Sequence, residues 1–250
     1  YKGLARRLTR FLETAIQGFP HSRCFGYVQG RNIRGNAELH LGATFLLKTD
    51  LENFFPSITR RRVEGLFTGL GVGADAASLL ASFLTIDGRL PLGLSTSPVI
   101  ANAICHQLDV ELHELAEGTG STYSRYADDL TFSSDSVLPE LSEVSAIIEL
   151  HGFNLAEDKT RYTKRGQNHY VTGLSISDPQ APHAPRSMKR SLRQELHYAK
   201  KFGLREHIAR LGITDDREVQ RYINHLDGRV KYVAFHEPRK SASIISSWQS

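Results

Sequence analysis

The chain has 250 residues, of which 40% are hydrophobic and 23% charged, a balance that excludes a disordered protein and allows one large domain or two smaller ones. It has no run of 18 apolar residues and no signal-peptide pattern, so we expect no membrane partner. Cys24 and Cys105 are too far apart for a metal knuckle and are predicted to be buried thiols of a cytoplasmic protein. Because residue 1 is Tyr rather than Met, we expect the natural N-terminus to lie outside this sequence.

The net charge of +4 is unevenly distributed along the chain. Residues 1–185 carry 17 Lys and Arg against 20 Asp and Glu, a net of −3, whereas residues 186–250 carry 14 against 7, a net of +7. A basic C-terminal module beside a mildly acidic body indicates that a polyanion binds at one end. A solvated helical surface rich in Lys and Arg would give the same count.

The first half of the chain shows helical and strand patterns in turn. Apolar residues at every third or fourth position predict an amphipathic helix over residues 4–18. Glycines then break residues 26–40 into a loop and a short helix. The apolar run TFLLKTDL, residues 44–51, predicts a buried strand that becomes charged at Asp50, and NFFPSI leads into a helix near Thr59.

A second helix start is marked by Ser97 as N-cap and Pro98 at the first helical position. One apolar stripe from Ile100 to Leu115 predicts a single helix that ends at Gly118.

The following segments alternate strands and helices before a basic tail. Residues 121–134 predict a strand, a turn and a strand, residues 139–152 a helix, and NHYVTGLSIS, residues 168–177, one further strand. A proline-rich linker joins them to a region with at least three helical patterns. This order predicts an α+β sheet domain followed by a helical domain.

The segment SRYADDLTFSS places Asp128 and Asp129 side by side between two predicted strands. Neighbouring strand residues point to opposite faces, so a regular strand would bury one of these charges. A solvated turn is one explanation. If the strand ending at Asp50 lies beside this hairpin, three carboxylates converge at one sheet edge, and such a cluster favours Mg²⁺ with its preference for oxygen ligands.

Five segments resemble, in order, the palm motifs of reverse transcriptases: KTDLENFFPSI, LPLGLSTSPVIAN, YADD, HGFNLAEDKT and VTGLSIS. They cover roughly residues 21–177, and the basic helical tail resembles the family's thumb. NAELH at residues 36–40 and VTG at residues 171–173 match a pair of motifs that marks the bacterial retron type. The sequence therefore resembles an RNA-directed DNA polymerase that copies part of its own structured RNA.

The resemblance implies an α+β right-hand polymerase with a ferredoxin-like, RRM-like antiparallel palm sheet, partial fingers and a helical thumb. Residues 1–35 would form the end of the fingers and a connecting helix. Residues 36–178 would form the palm with inserted fingers helices, and residues 186–250 the thumb. The family's N-terminal fingers strands, which carry the residues that grip the triphosphate, would precede Tyr1.

The resemblance also implies the catalytic centre. Asp50, Asp128 and Asp129 would ligate two Mg²⁺ ions, with the backbone carbonyl of Leu51 as a further ligand. Two such ions activate an attacking hydroxyl and stabilise a leaving pyrophosphate.

Six residues are assigned to nucleotide binding by the same resemblance: Phe55, Leu92, Ser97, Tyr126, Ala127 and Lys159. Phe55 occupies the steric-gate position, where its ring would exclude a ribose 2′-hydroxyl, although plain core packing is the alternative. Lys159 would lie near the triphosphate unless it is only a solvated lysine. Leu92 replaces a Gln found in many relatives, and so removes a hydrogen bond typically worth about 1 kcal/mol.

RNA binding is assigned to two groups of residues. The retron motifs contribute Asn36, His40, Val171, Thr172 and Gly173, and the thumb contributes Lys189, Arg190, Arg193, Lys200 and Lys201. His40 could instead be a satisfied structural histidine, and Thr172 with Gly173 only a strand bulge. The thumb cations would follow phosphates without reading sequence.

The partners implied are a cognate structured non-coding RNA and its DNA product, deoxynucleoside triphosphates, and an effector or toxin protein in antiviral defence. Another bacterial reverse transcriptase, of the group II intron, diversity-generating or abortive-infection type, is an alternative. A catalytically silent palm that only binds RNA is the second alternative, which the intact aspartates disfavour.

Overall fold

The computed structural model describes residues 2–238 and 241–249, so the outer ends of the predicted domains, at residues 1 and 250, and residues 239 and 240 of the predicted thumb lie outside the described residues. The helices are α1 (Lys2–Ala15), α2 (Ile33–Glu38), α3 (Phe54–Ser57), α4 (Arg60–Gly69), α5 (Ala74–Leu84), α6 (Ser97–Ile104), α7 (His106–Gly118), α8 (Leu141–Leu150), α9 (Arg186–Phe202), α10 (Leu204–Arg210), α11 (Asp216–His236) and α12 (Ala242–Gln249). The strands are β1 (Phe45–Asp50), β2 (Thr122–Tyr126), β3 (Asp129–Ser134), β4 (Arg161–Lys164), β5 (Tyr170–Val171) and β6 (Leu174–Ser175).

The central sheet has the order β2-β3-β1-β4, and every neighbouring pair is antiparallel. Strand β1 therefore lies between β3, which forms a hairpin with β2, and the edge strand β4. The α+β class and the antiparallel sheet predicted from the sequence are confirmed.

Both faces of the sheet are covered because successive side chains of β1 point in opposite directions. Leu47 faces a large core formed with helices α4 to α8, which includes Phe67, Leu108 and Ile148. Leu46 faces a smaller core with α2, β5 and β6, which includes Val171. The sheet is thus held between two apolar layers, and its functional residues lie where the strands end.

The C-terminal helices build a separate apolar cluster. Leu192 and Leu196 of α9 pack against Leu226 and Val230 of α11 and against Ile244 of α12. The predicted helical character of this region is confirmed, and the domain boundaries stay predictions.

Three local predictions differ from the structure. Thr96, not Ser97, is the N-cap of α6, and the expected single helix over residues 97–118 is interrupted at Cys105. Residues 168–177 form the short hairpin β5-β6 rather than one strand, because Thr172 and Gly173 adopt left-handed φ angles of 45° and 81°. Two successive left-handed residues are what a tight hairpin turn requires.

Both cysteines are buried and free, as predicted. Burial raises the pKa of the Cys24 thiol to about 11 and that of Cys105 to about 12, so both thiols stay protonated at neutral pH. No helix within the described ranges is long and apolar enough to cross a membrane.

His40 is a buried connection between the sheet and the loop after α2. Its Nδ1 lies 2.7 Å from Ser133 Oγ on β3, and its Nε2 lies 2.8 Å from Ser124 Oγ on β2. Burial, aided by the positive charges of Arg23 and Lys48, lowers the pKa of His40 to about 3. The imidazole is therefore neutral at physiological pH.

We predict that His40 makes the stability pH-dependent. Its folded-state pKa lies below the unfolded value of about 6.5, so its stabilisation is complete above that pH and is lost as the pH falls toward 3. Between pH 7 and pH 5, wild-type protein should lose about 2 kcal/mol more of its free energy of unfolding than His40→Gln, as measured by urea denaturation. An equal loss in both proteins would contradict the buried neutral histidine.

Candidate active site

The three aspartates lie at one edge of the central sheet. Asp50, the last residue of β1, is paired in register with Asp129, the first residue of β3. The Leu51 amide donates a hydrogen bond of 2.9 Å to the Asp128 carbonyl, which ties the end of β1 to the hairpin turn. The juxtaposition expected if the two strands are neighbours is therefore present.

The hairpin turn between β2 and β3 consists of Ala127 and Asp128, because Tyr126 pairs with Asp129 across the ladder. Ala127 has a φ of 59°, in the left-handed region that a non-glycine residue rarely occupies. Such strain persists only when the surroundings impose it, and it is frequent at functional sites.

The surroundings that impose this turn centre on the buried Arg125 of β2. Its guanidinium forms a two-point ion pair with Asp109 of α7, in which Nε–Oδ1 and Nη2–Oδ2 are both 2.7 Å. Its Nη1 donates to the carbonyl of Ala127 at 3.0 Å and to Asn102 Oδ1 of α6 at 3.1 Å. The charged group therefore connects the turn to the two helices behind it.

Two lysines pair with the carboxylates of the cluster. Lys48 Nζ lies 3.1 Å from Asp129 Oδ2, and Lys159 Nζ lies 2.9 Å from Asp50 Oδ2. Burial raises the pKa of the Asp129 carboxyl, the charges of Asp50 and Asp128 add to this, and Lys48 opposes it. The hydrogen bond to Asp50 raises the pKa of the Lys159 ammonium, so this lysine stays charged.

The donor set of this edge fits a hard divalent cation, but the side chains are not gathered around one. Within the described part of the chain, no three His, Cys, Asp or Glu side chains are close enough together to hold a metal ion. Also among these residues, Asp129 Oδ1 is a buried oxygen without a hydrogen-bond partner. A buried carboxylate oxygen in this state is an available ligand, and carboxylates and carbonyls suit Mg²⁺. Asp50, Asp128, Asp129 and the Leu51 carbonyl would hold it after the lysine contacts rearrange.

The predicted nucleotide-binding residues have different environments. Phe55 is 8% exposed and has its ring 5.1 Å from that of Phe54, so core packing accounts for most of its surface. Leu92 is 74% exposed in the loop before α6, and its side chain has no group that can form a hydrogen bond. Ser97 is buried in the first turn of α6. Tyr126 is half-buried at the end of β2.

The retron motifs meet each other inside the protein. Thr172 Oγ1 donates to the Ile33 carbonyl at the start of α2, at 2.9 Å. Asn36, His40 and Val171 are buried. These three side chains have almost no accessible surface, whereas Thr172 is half-buried and Gly173 exposed. The assignment of these residues to RNA binding stays a prediction.

The same region contacts the C-terminal helices. Arg34 Nη1 of α2 donates to the carbonyl of His236 in α11 at 2.7 Å. Tyr232 of α11 packs against the small core that contains Val171. Helix α2, which carries most of the first motif, and the small core around Val171 thus both contact α11.

The predicted thumb cations are mostly exposed on α9. Positions 186, 190, 193 and 200 follow helical spacing, and with the neighbouring lysine they form a basic stripe of Arg186, Arg190, Arg193, Lys200 and Lys201. Lys189 differs because its Nζ lies 2.7 Å from Oε1 of the buried Glu237. Lys189 therefore forms an internal ion pair, and its assignment to RNA stays a prediction.

Sequence reasoning missed Lys48, Arg125 and Tyr27. Lys48 could have been found, because residues two apart on a strand share a face and Lys48 lies on the face of Asp50. The burial of Arg125 and the exposure of Tyr27 depend on contacts between segments distant in sequence. No local pattern reveals them.

Comparison with known proteins gives a consistent result. The family model for "Reverse transcriptase (RNA-dependent DNA polymerase)" matches residues 1–195. The chain is 37% identical over 226 residues to the retron Mx162 reverse transcriptase of Myxococcus xanthus, covering 76% of this chain and 47% of the relative. It is 35% identical over 176 residues to the retron Ec86 reverse transcriptase of Escherichia coli, covering 69% of this chain and 55% of the relative. The chain thus spans about half the length of the curated relatives it matches.

A solved structure shares the fold at low sequence identity. Apo telomerase from Candida tropicalis superposes with a TM-score of 0.55 and 11% identity, covering 98% of this chain and 51% of that one. At this low identity the likeness shows the fold alone.

We predict that the carboxylate cluster binds a divalent cation. Adding Mg²⁺ or Mn²⁺ at neutral pH should raise the melting temperature by about 2–4 °C for each kcal/mol of binding free energy, because the cation relieves repulsion among the carboxylates. Asp128→Asn should lose this increase, as measured by scanning calorimetry. Asp75→Asn, on the exposed first turn of α5, is the control and should keep it. An increase of equal size in Asp128→Asn would place the cation elsewhere.

Proposed function

The chain belongs to the reverse transcriptase (RNA-dependent DNA polymerase) family, and we propose that it is a retron-type enzyme that synthesises DNA on an RNA template. The observation that carries this proposal is the meeting of Asp50 with the Asp128-Asp129 hairpin at one sheet edge, in the chain order of the family's motifs. The similarity to the Myxococcus and Escherichia retron enzymes favours the retron type over the other bacterial classes.

The proposed chemistry is nucleotidyl transfer at the aspartate cluster. Two Mg²⁺ ions would supply charge stabilisation for the attacking 3′-oxygen and for the leaving pyrophosphate. Asp50 and Asp128 would hold them, and Asp129 would offer its unpartnered oxygen. Lys48 and Lys159 neutralise the cluster before the cations arrive, which keeps three carboxylates compatible at one edge.

Lys159 would take a second role once nucleotide is bound. Its exposed ammonium belongs to the segment after α8 and reaches Asp50. When a cation replaces it there, the ammonium is free to contact the triphosphate. A lysine ammonium carries the positive charge that this contact needs, because the ordinary lysine pKa of about 10.4 lies far above neutral pH.

The nucleotide site would be formed around Phe55. An aromatic ring at this position would collide with a 2′-hydroxyl and select deoxynucleoside triphosphates. Tyr126 and Ala127 lie at the catalytic turn, where the primer end would be placed, and Ser97 begins the helix beneath the template. The side chain of the exposed Leu92 cannot form a hydrogen bond, so selection of the sugar would depend on the Phe55 ring.

RNA would be held mainly by the basic stripe on α9. Its exposed cations can follow the phosphates of a structured RNA, and affinity of this kind falls steeply with salt. The retron motifs would act indirectly. Thr172 bonds to the start of α2, the neighbouring Arg34 bonds to α11, and α11 packs against the helix that carries the stripe. The partner RNA would be discriminated by its shape and single-stranded loops.

We infer that the biological product is single-stranded DNA linked to the cognate non-coding RNA, and that an effector protein joins the pair in antiphage defence. These partners are inferred from the retron relatives. A silent RNA-binding palm is disfavoured because the metal-ligating residues and the positioning Arg125 are all present.

The decisive experiment is primer extension on an RNA template. Asp128→Asn should abolish deoxynucleotide incorporation in Mg²⁺, because it removes a metal ligand, while leaving RNA binding within about twofold of wild type, because the basic stripe on α9 is untouched. Gel extension and fluorescence anisotropy measure the two properties. Near-wild-type extension by the variant would reject the catalytic assignment.

A second experiment separates the basic stripe from the retron motifs. The double variant Lys200→Ala with Lys201→Ala should bind all RNAs more weakly. Its plot of log affinity against log salt should be shallower than that of wild type by about 1.4–1.8. Arg161→Ala with Lys164→Ala, exposed on β4, is the matched control and should leave the slope unchanged.

Thr172→Ala tests the retron motifs in the same assays. It should reduce synthesis on the partner RNA but spare extension of a generic annealed primer, because it loosens the position of the stripe without removing a phosphate contact. Equal loss on both templates, together with a lower melting temperature, would mean that the motif only supports the fold.

A further inference from the structure

Tyr27 is an exposed aromatic residue in a backbone conformation that tyrosine rarely adopts. Its φ is 62°, in the left-handed region, and its side chain is 55% exposed in the loop between Cys24 and α2. A positive φ is unfavourable for a bulky residue, and burial does not offset this cost because more than half of the Tyr27 side chain is exposed. The loop therefore holds this ring outside the core for a reason other than packing.

The loop is held in place by the catalytic hairpin itself. The Phe25 amide donates to the Arg125 carbonyl at 2.7 Å, and Asn102 Nδ2 donates to the Gly26 carbonyl at 2.9 Å. A Cβ atom on Gly26 would lie 2.3 Å from the Ala127 amide nitrogen, so only glycine fits against the turn. The loop that carries Tyr27 is thus held by Arg125 and Asn102, the two residues that also hold the turn before Asp129.

The Tyr27 ring lies beside Phe55, the predicted steric gate. The Tyr27 and Phe55 rings lie 6.1 Å apart in an edge-to-face arrangement. Burial, then the nearby Asp128 and Tyr126, raises the pKa of the Tyr27 phenol. Tyr27 is therefore a neutral, exposed aromatic group that contacts Phe55 and lies close enough to Asp128 for the charge of that carboxylate to act on its phenol.

We propose that Tyr27 is a specificity-determining residue that packs against the sugar and base of the incoming deoxynucleotide and extends the surface begun by Phe55. The inference rests on the proposed polymerase function. The contact with Phe55 favours the incoming nucleotide over the duplex, whose phosphates would be held by the basic stripe on α9. An exposed ring offers a sequence-tolerant surface, because every base and sugar presents an apolar face to it.

Steady-state kinetics on an annealed primer and RNA template test this assignment. Tyr27→Ala should raise the KM for deoxynucleotide by about tenfold, the size expected for losing one aromatic stacking contact, with kcat within about twofold of wild type. Tyr27→Phe keeps the ring and should restore the wild-type KM. Tyr162→Ala is the matched control, since Tyr162 is 53% exposed on β4 away from the hairpin, and its KM should equal that of wild type.

Each other outcome overturns the proposal. An unchanged KM in Tyr27→Ala, or weaker binding of primer and template with an unchanged deoxynucleotide KM, would remove Tyr27 from the nucleotide site. If Tyr27→Ala and Tyr27→Phe both lose activity and both melt at a temperature low enough to explain that loss, Tyr27 supports the fold and does not contact the nucleotide. Wild-type protein that extends no primer would reject the polymerase function and this inference together, whereas active wild type with unaltered Tyr27→Ala would reject this inference alone.

Discussion

The buried ion pair between Arg125 and Asp109 is the interaction on which the candidate active site depends. Both side chains are almost completely inaccessible, and the guanidinium uses its planar geometry to engage both carboxylate oxygens. Burying two charges is costly unless their remaining hydrogen-bonding groups are satisfied. Asn102, Tyr123 and the Ala127 carbonyl satisfy them, so the pair can exist only if the turn, α6 and α7 are all in place.

This dependence explains how a strained turn is maintained next to three carboxylates. Removing one member of a buried ion pair leaves an uncompensated charge and costs about 3–5 kcal/mol, more than the strain of a residue such as Ala127. The pair therefore outweighs the strain and fixes the direction of Asp128. Through Asn102 it also fixes the Gly26 carbonyl, which carries Tyr27 to the edge of the site. The aspartate hairpin and the loop that carries Tyr27 are in this way both attached to one buried network.

The sequence predicted the elements whose information is local. A short apolar run predicted the strand that ends at Asp50, and paired aspartates between two predicted strands indicated the hairpin. The burial of His40 and of Lys189 beside Glu237 could not be predicted, since each depends on contacts from distant segments. Thr172 was assigned to a strand because its left-handed conformation becomes evident only in the folded hairpin.

We propose that Asp50 and Asp128 hold the cations of a DNA-synthesising centre. The most direct measurement is an anomalous difference map from crystals of the protein with Mn²⁺, an annealed primer and RNA template, and a non-hydrolysable deoxynucleotide. We expect two peaks about 3.5–4 Å apart between Asp50 and Asp128, with the Lys159 ammonium displaced from Asp50. A single peak at another site, or no peak beside a bound nucleotide and an intact Lys159–Asp50 ion pair, would contradict the claim.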